Sequence, residues 1–160
     1  MEIVIVYFIL SVALFAAAFV TKRRFGLLGL ALAAGSLLSS IWGFDASLVA
    51  GFFGFHSGPL TDAIVSSVLV VLPAGLLLFH GYTYKTLIGR AVGAGMFTVL
   101  AIAFLAEPLS HVLIANGPAV GAYTLLLKNR MTIIGVGMVT SVIDLFLTKP
   151  AHSSDKHRKR

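Results

Sequence analysis

Phe19 to Gly26 reads FVTKRRFG, with Lys22, Arg23 and Arg24 side by side in some forty residues that otherwise carry almost no charge. Three like charges between two long apolar runs repel each other and are costly to take into hydrocarbon, so the stretch belongs at a water-exposed boundary. It is read as a tight turn between two antiparallel membrane spans. The rest of the chain is organised outward from that turn.

The composition agrees with a lipid solvent. Of the 160 residues, 58% are hydrophobic and 11% charged, with a mean hydropathy of +0.99; soluble domains are roughly 45–50% apolar. The net charge of +6 does not point to nucleic acid, because the twelve Lys and Arg residues lie in short clusters between apolar runs and crowd into the C-terminal tail. Cysteine is absent, which excludes disulfides, thiolate metal sites and cysteine nucleophiles.

About 20 apolar residues are needed for a helix to cross the hydrocarbon core. Five segments qualify, at about 3–20, 25–44, 63–82, 91–106 and 131–147, and the expected fold is an all-α polytopic transmembrane helix bundle occupying residues 1–150. The first span lacks a basic leader and a small-residue cleavage site, so it reads as a retained anchor. Trp42 and Phe44 close the second where an aromatic belt belongs. Thr61 and Asp62 are the expected N-caps of the third, Glu107–Pro108 the stop of the fourth, and Lys149–Pro150 the stop of the fifth. Segments 45–60 and 108–130 are assigned to the outer interface, the latter as an interfacial or re-entrant stretch, and 151–160 to a basic disordered tail. A sixth span at His111–Leu127 would bury Asn116, Gly117 and Pro118 and worsen the charge balance, so five spans are preferred.

Basic residues near span ends stay preferentially cytoplasmic. With the N-terminus outside and the C-terminus cytoplasmic, Lys22, Arg23, Arg24, Lys85, Arg90, Lys149 and the basic tail all fall inside, and only Lys128 and Arg130 fall outside. The expected location is a multi-pass position in a bacterial cytoplasmic (inner) membrane, with a basic inner face able to contact anionic lipid heads.

Helices in lipid associate through small residues and shared hydrogen bonds rather than hydrophobicity. Gly26, Gly29, Ala33, Ser36 and Ser40 form one stripe on the second span, Gly89 and Gly93 a small-xxx-small pair on the fourth, and Gly137, Ser141, Asp144 and Thr148 a face of the fifth. These are read as packing seams. Asp144 is the only carboxylate embedded in a span, about one turn from the inner surface, and is expected to pair with a Lys or Arg of an inner turn. Pro73 removes the hydrogen bond to the Leu69 carbonyl and is expected to kink the third span.

His80 beside Tyr82 and Tyr84 reads as an interfacial anchor, while His56 and His111, each followed by a Gly-Pro, share the outer side. No metal site, cofactor or catalytic residue is assigned: no span carries a His pair at helical spacing, and no phosphate loop, dinucleotide fingerprint, nucleophile elbow or H-E-x-x-H motif is present.

The stretch YKTLIGRAVGAGMFTVLAIAFLAEPL, Tyr84 to Leu109, resembles the colicin V production (CvpA) family of small multi-pass membrane proteins, with Gly89, Gly93 and Gly95 carrying the likeness. IIGVGMVTSVIDLFL is loosely similar to late spans of such proteins. The chain departs from that family in lacking an aspartate early in span 1 and a glycine pair at that span's inner end. The resemblance implies a bacterial inner-membrane protein with a biogenesis or export-related role, and it transfers no functional residue. The functional expectation is a non-enzymatic protein acting by helix association in the lipid bilayer, with itself or with other membrane proteins and without nucleic acid, as a component or assembly factor of a membrane complex. The alternative is an oligomeric small-solute transporter or channel, hinged at Pro73 and gated at Asp144.

Overall fold

The computed structural model describes residues 2–52, 58–79, 83–84, 86–110, 112 and 119–147. These form five helices and no strand: α1 (Glu2–Thr21), α2 (Phe25–Phe52), α3 (Pro59–Phe79), α4 (Leu87–Ser110) and α5 (Ala119–Phe146). Four of them, α2 to α5, are long and apolar enough to cross a membrane. Helix α1, with 20 residues, also reaches about 30 Å, the thickness of the hydrocarbon core. His56, His80, His111, Thr148, Lys149 and the tail 151–160 lie outside the described residues.

Number, type and order of elements agree with the hydropathy pattern, but the helices overrun the expected spans. Helix α2 continues through Asp45 to Phe52, through the first part of the segment read as an interfacial connection. Nothing between Gly43 and Gly51 breaks it, and each added residue pairs another backbone group. Helix α3 begins at Pro59 rather than Ala63. A proline fits the first helical position because its missing N–H would be unpaired there; Thr61 and Asp62 are therefore inside the first turn and do not cap it. The Asp62 N–H already donates to the Gly58 carbonyl at 3.1 Å.

Two further stops are passed. Helix α4 runs through Glu107–Pro108 and ends at Ser110, since a proline removes the donor to the residue four before it, Phe104, without unwinding the residues beyond it. Helix α5 starts at Ala119, so Ala119–Arg130 is helical and continuous with the expected span. Lys128, Asn129 and Arg130 interrupt the hydropathy, not the backbone: Asn129 Nδ2 donates to the Leu125 carbonyl at 2.9 Å.

Helix α4 packs against all four others, whereas α3 sits on one side of the α2–α4 pair and α5 on the other. Phe25, Leu28 and Leu32 of α2 meet Phe97, Leu100 and Ala101 of α4 in the buried centre. The outward surfaces are as apolar as that centre, as at Phe8 and Ile9 of α1, Leu76 and Phe79 of α3 and Ile143 and Phe146 of α5, all more than half exposed. Such a surface suits hydrocarbon and leaves small residues and polar contacts to decide how the helices meet.

The α2–α3 contact shows this. A methyl group at Gly35 would overlap the Val70 carbonyl and lie 2.9 Å from the Leu69 carbonyl oxygen. Leu69 is the residue whose carbonyl Pro73 leaves without its helical donor. The bare Gly35 backbone thus presses on the weakened turn of α3, where Cα–H groups meet exposed carbonyl oxygens. Gly35→Ala is expected to cost about 1–3 kcal/mol by forcing α2 and α3 apart, whereas Gly95→Ala, whose site is open, should stay within about 0.5 kcal/mol. Reversible unfolding in mixed micelles measures both.

Candidate functional site

The basic turn and Asp144 come together at one end of the bundle, where α1, α3 and α5 end and α2 and α4 begin. Helix α1 stops at Thr21 and the chain reverses through Lys22, whose φ of 59° is left-handed. This conformation strains a non-glycine residue but closes a helix C-terminus in one step. Arg23 then forms an isolated antiparallel bridge with Thr83, and the Tyr84 N–H donates to the Lys22 carbonyl at 2.8 Å. The α1–α2 and α3–α4 turns are joined through their backbones.

Arg23 and Arg90 each meet a helix end. Arg23 donates from Nε to the Leu78 carbonyl at 2.9 Å and from Nη2 to the Phe79 carbonyl at 2.6 Å, closing the C-terminus of α3. Arg90 Nη2 donates to the Phe19 carbonyl at 2.9 Å in the last turn of α1, its guanidinium 4.6 Å from the Phe19 ring centroid. The last carbonyls of a helix lack intrahelical donors and carry partial negative charge, so a cation supplies both the missing hydrogen bond and the matching sign.

Asp144 does the reverse. Its Oδ2 accepts the Gly26 N–H at 2.9 Å, at the unpaired, partially positive start of α2. The Tyr84 hydroxyl accepts the Phe25 N–H at 3.2 Å and donates to Asp144 Oδ1 at 3.2 Å. Arg24 Nη2 stands 4.0 Å from the same carboxylate oxygen, and its guanidinium lies 5.3 Å from the Tyr84 ring centroid. The first two donors of α2 are thereby held by one carboxylate and one phenol, both from other parts of the chain. Thr86 caps α4 locally, its Oγ1 accepting the Gly89 N–H at 3.2 Å.

The small residues make this geometry possible. A methyl at Gly26 would come to 2.5 Å from the Ser141 carbonyl oxygen, and one at Gly29 would overlap the Ser141 hydroxyl. Ser141 is fully buried and donates to the Gly137 carbonyl at 2.8 Å, while Gly137 receives the Leu100 side chain. Only the first part of the α2 stripe faces α5; Ser36 and Ser40 turn their hydroxyls back to the Ala33 and Leu37 carbonyls at 2.8 Å each. At Gly89 of α4 a methyl would come to 2.9 Å from Thr86 Oγ1 and 3.1 Å from the Tyr84 ring, and at Gly93 it would approach that ring to 2.5 Å.

Tyr84 is the residue that sequence reading missed. Read as an interfacial anchor, it instead bridges α2 and α5, and the only signal was the pair of glycines one helical turn apart just after it. Tyr84 lies between helices, and burial pushes its hydroxyl above the ordinary value of 10.0, with the Phe25 N–H pulling the other way. The neutral phenol is therefore the form present, able to donate to Asp144. Because folding raises this pKa, its contribution is complete below about pH 10 and fades as pH rises further.

Among the described residues no group of three His, Asp or Glu side chains forms a metal site. Of the remaining sequence candidates, Pro73 lies within α3, away from this cluster, and His56 and His111 are outside the described residues. Chemically the cluster holds helix ends together. Comparison with family models, with curated proteins and with solved structures finds no match to this chain.

Asp144→Ala should destabilise the protein by about 2 kcal/mol and Asp144→Asn by less, since the amide oxygen still accepts from Gly26. Tyr84→Phe should cost about 1 kcal/mol. In a double-mutant cycle the two sites should couple by at least about 0.5 kcal/mol, as residues of one hydrogen-bond network do; additive losses would contradict the bridge.

Proposed function

We propose that this protein works by helix association within the bilayer, as a component or assembly factor of a membrane complex. Helix α5 carries the reading. It contacts α2 and α4 through Gly137, Ser141 and Asp144, while Gly121, Thr124, Lys128, Thr132 and Gly135 lie on its opposite, exposed face. Small and hydroxyl-bearing residues on a lipid-facing helix give little to lipid and much to a second helix, whose backbone can approach closely and share hydrogen bonds. The partner is a second copy of the chain or another membrane protein. The resemblance of Tyr84–Leu109 to the colicin V production family supports the same kind of role.

A transporter gated at Asp144 has less support, because that carboxylate is engaged with Gly26, Tyr84 and Arg24. The fully buried Leu28, Leu32, Phe97 and Leu100 also fill the centre of the bundle. The basic end is assigned to the cytoplasm of a bacterial cell on the distribution of Lys and Arg, with anionic lipid heads at its rim.

Two measurements test these assignments. Energy transfer between donor- and acceptor-labelled chains diluted in liposomes should show association, weakened at least about threefold by Thr132→Leu with Gly135→Leu and unchanged by Leu76→Ala on α3, a threefold loss being roughly 0.6 kcal/mol. A monomer that captures no partner from its native membrane overturns the reading. Since the chain has no cysteine, Asp62→Cys should react with an impermeant maleimide on intact cells and Thr83→Cys should not; the opposite pattern reverses the orientation.

A further inference from the structure

The end of the bundle opposite the basic turn holds a cleft that the association role does not use. There α2 and α3 stand apart from α4 and α5 around a cavity of about 460 Å3, within the size range of small-molecule sites. Part of its lining is apolar, formed by Val70, Phe104 and Ile134. One side is hydroxyl-rich, with Ser36, Ser39 and Ser40 of α2 and Ser66 of α3. At the rim the Arg130 guanidinium pairs with Glu107 at 3.0 Å, the arginine side chain 16% exposed and the carboxylate 65%. A second cavity of about 400 Å3 adjoins it through the shared walls Ser66 and Pro108 and brings Asp62 to the same mouth.

Three properties define what fits. First, polarity changes along the cleft. Ser36 is eleven residues from the start of α2, so roughly 16 Å from the basic end and near mid-membrane, while the charged pair lies farther out: Glu107 is roughly 30 Å along α4 from that end and Arg130 roughly 24 Å along α5. A lipid in that leaflet has the same gradient, with its tail toward the midplane and its head at the surface. Second, the cleft is open to the side: Leu37 and Met131 line it and are 63% and 71% exposed on the lipid-facing surface. A lipid can enter between α2 and α5 without leaving the bilayer.

Third, the mouth carries two carboxylates, Asp62 and Glu107, and one guanidinium, Arg130. That set complements a head group with one anion and a hydrogen-bonding cation, and repels a head with only negative charge. The phosphate of such a head matches Arg130 as a charge-assisted acceptor. Its ammonium matches Glu107 and Asp62, with the Ser40 oxygen as a further acceptor: Ser40 already spends its hydroxyl hydrogen on its own helix and offers lone pairs. A primary ammonium has three donors to spend here, whereas a quaternary ammonium has none.

We infer that this cleft binds a zwitterionic aminophospholipid, its phosphate on Arg130, its primary ammonium between Glu107 and Asp62, and the start of an acyl chain along Val70, Phe104 and Ile134. The juxtaposition that carries the assignment is a laterally open, apolar-to-polar cleft whose mouth holds one cation and two anions.

Native mass spectrometry of the full chain, released from nanodiscs made of equal parts phosphatidylethanolamine, phosphatidylcholine and phosphatidylglycerol, tests it. One phosphatidylethanolamine should be retained about tenfold over phosphatidylcholine, a factor of ten being the usual worth of one lost charge-assisted contact. Glu107→Gln and Asp62→Asn should each lower that retention about fivefold or more, Asp62→Asn without shifting the melting temperature, while Ser66→Leu should lower it by filling the cleft with no change of charge. Equal retention of the three lipids, or phosphatidylethanolamine retention unaffected by both carboxylate variants, overturns the proposal. Displacement by water-soluble phosphoethanolamine at the same concentration also overturns it, assigning the cleft to a free zwitterionic solute instead.

Discussion

The last four carbonyls and first four N–H groups of every helix lack intrahelical partners, and near hydrocarbon each unpaired group is expensive. In this protein three helix C-termini and two N-termini meet at one end, so the deficit concentrates there. Arg23 and Arg90 supply donors to α3 and α1, and Asp144 with Tyr84 supplies acceptors to α2. Cations lie at the negative ends of helix dipoles and an anion at a positive end, so hydrogen bonding and electrostatics favour the same arrangement. The cluster ties the ends of sequence neighbours and of distant helices into one layer, on which the rest of the bundle is hung.

Beyond that layer the contacts differ from turn to turn. Gly26 and Gly29 let α2 and α5 touch near the basic end, and Gly35 lets α2 press on the turn of α3 loosened by Pro73. Farther along α2 the small residues are serines that bond to their own helix and face the cleft rather than a neighbour. One stripe therefore does two jobs: glycine positions bring backbones together, and serine positions line the space left where the helices part. The close α2–α5 contact near the basic end and the cleft farther along α2 are two consequences of which small residue stands at each turn.

The arginines of the opening turn also have two roles, one set by topology and one by local structure. Their placement beside a span reflects the cost of moving charge through hydrocarbon. Their individual partners depend on which carbonyls the bundle brings within reach: Arg23 turns to α3, Arg24 to Asp144 and Tyr84. A lysine at position 23 would keep the first role but lose the forked geometry that engages two carbonyls at once.

Sequence alone determined that this chain is a bundle of five apolar helices, because a hydrocarbon solvent admits few other backbones and about 20 residues of hydropathy mark each crossing. It also placed Asp144 near a basic turn, since a lone carboxylate close to the span end has few other charges to meet. Helix limits were less legible, because Glu107–Pro108 and Lys128–Arg130 break the hydropathy pattern while the backbone continues through them. The partners were not legible at all. That Tyr84 fills the space above Gly93, that Arg90 reaches back to Phe19, and that Glu107 and Arg130 meet at the rim of a cleft depend on how helices far apart in sequence rotate and cross. Only the tertiary structure sets those rotations, because in lipid they are decided by close contacts between small residues rather than by which face is apolar.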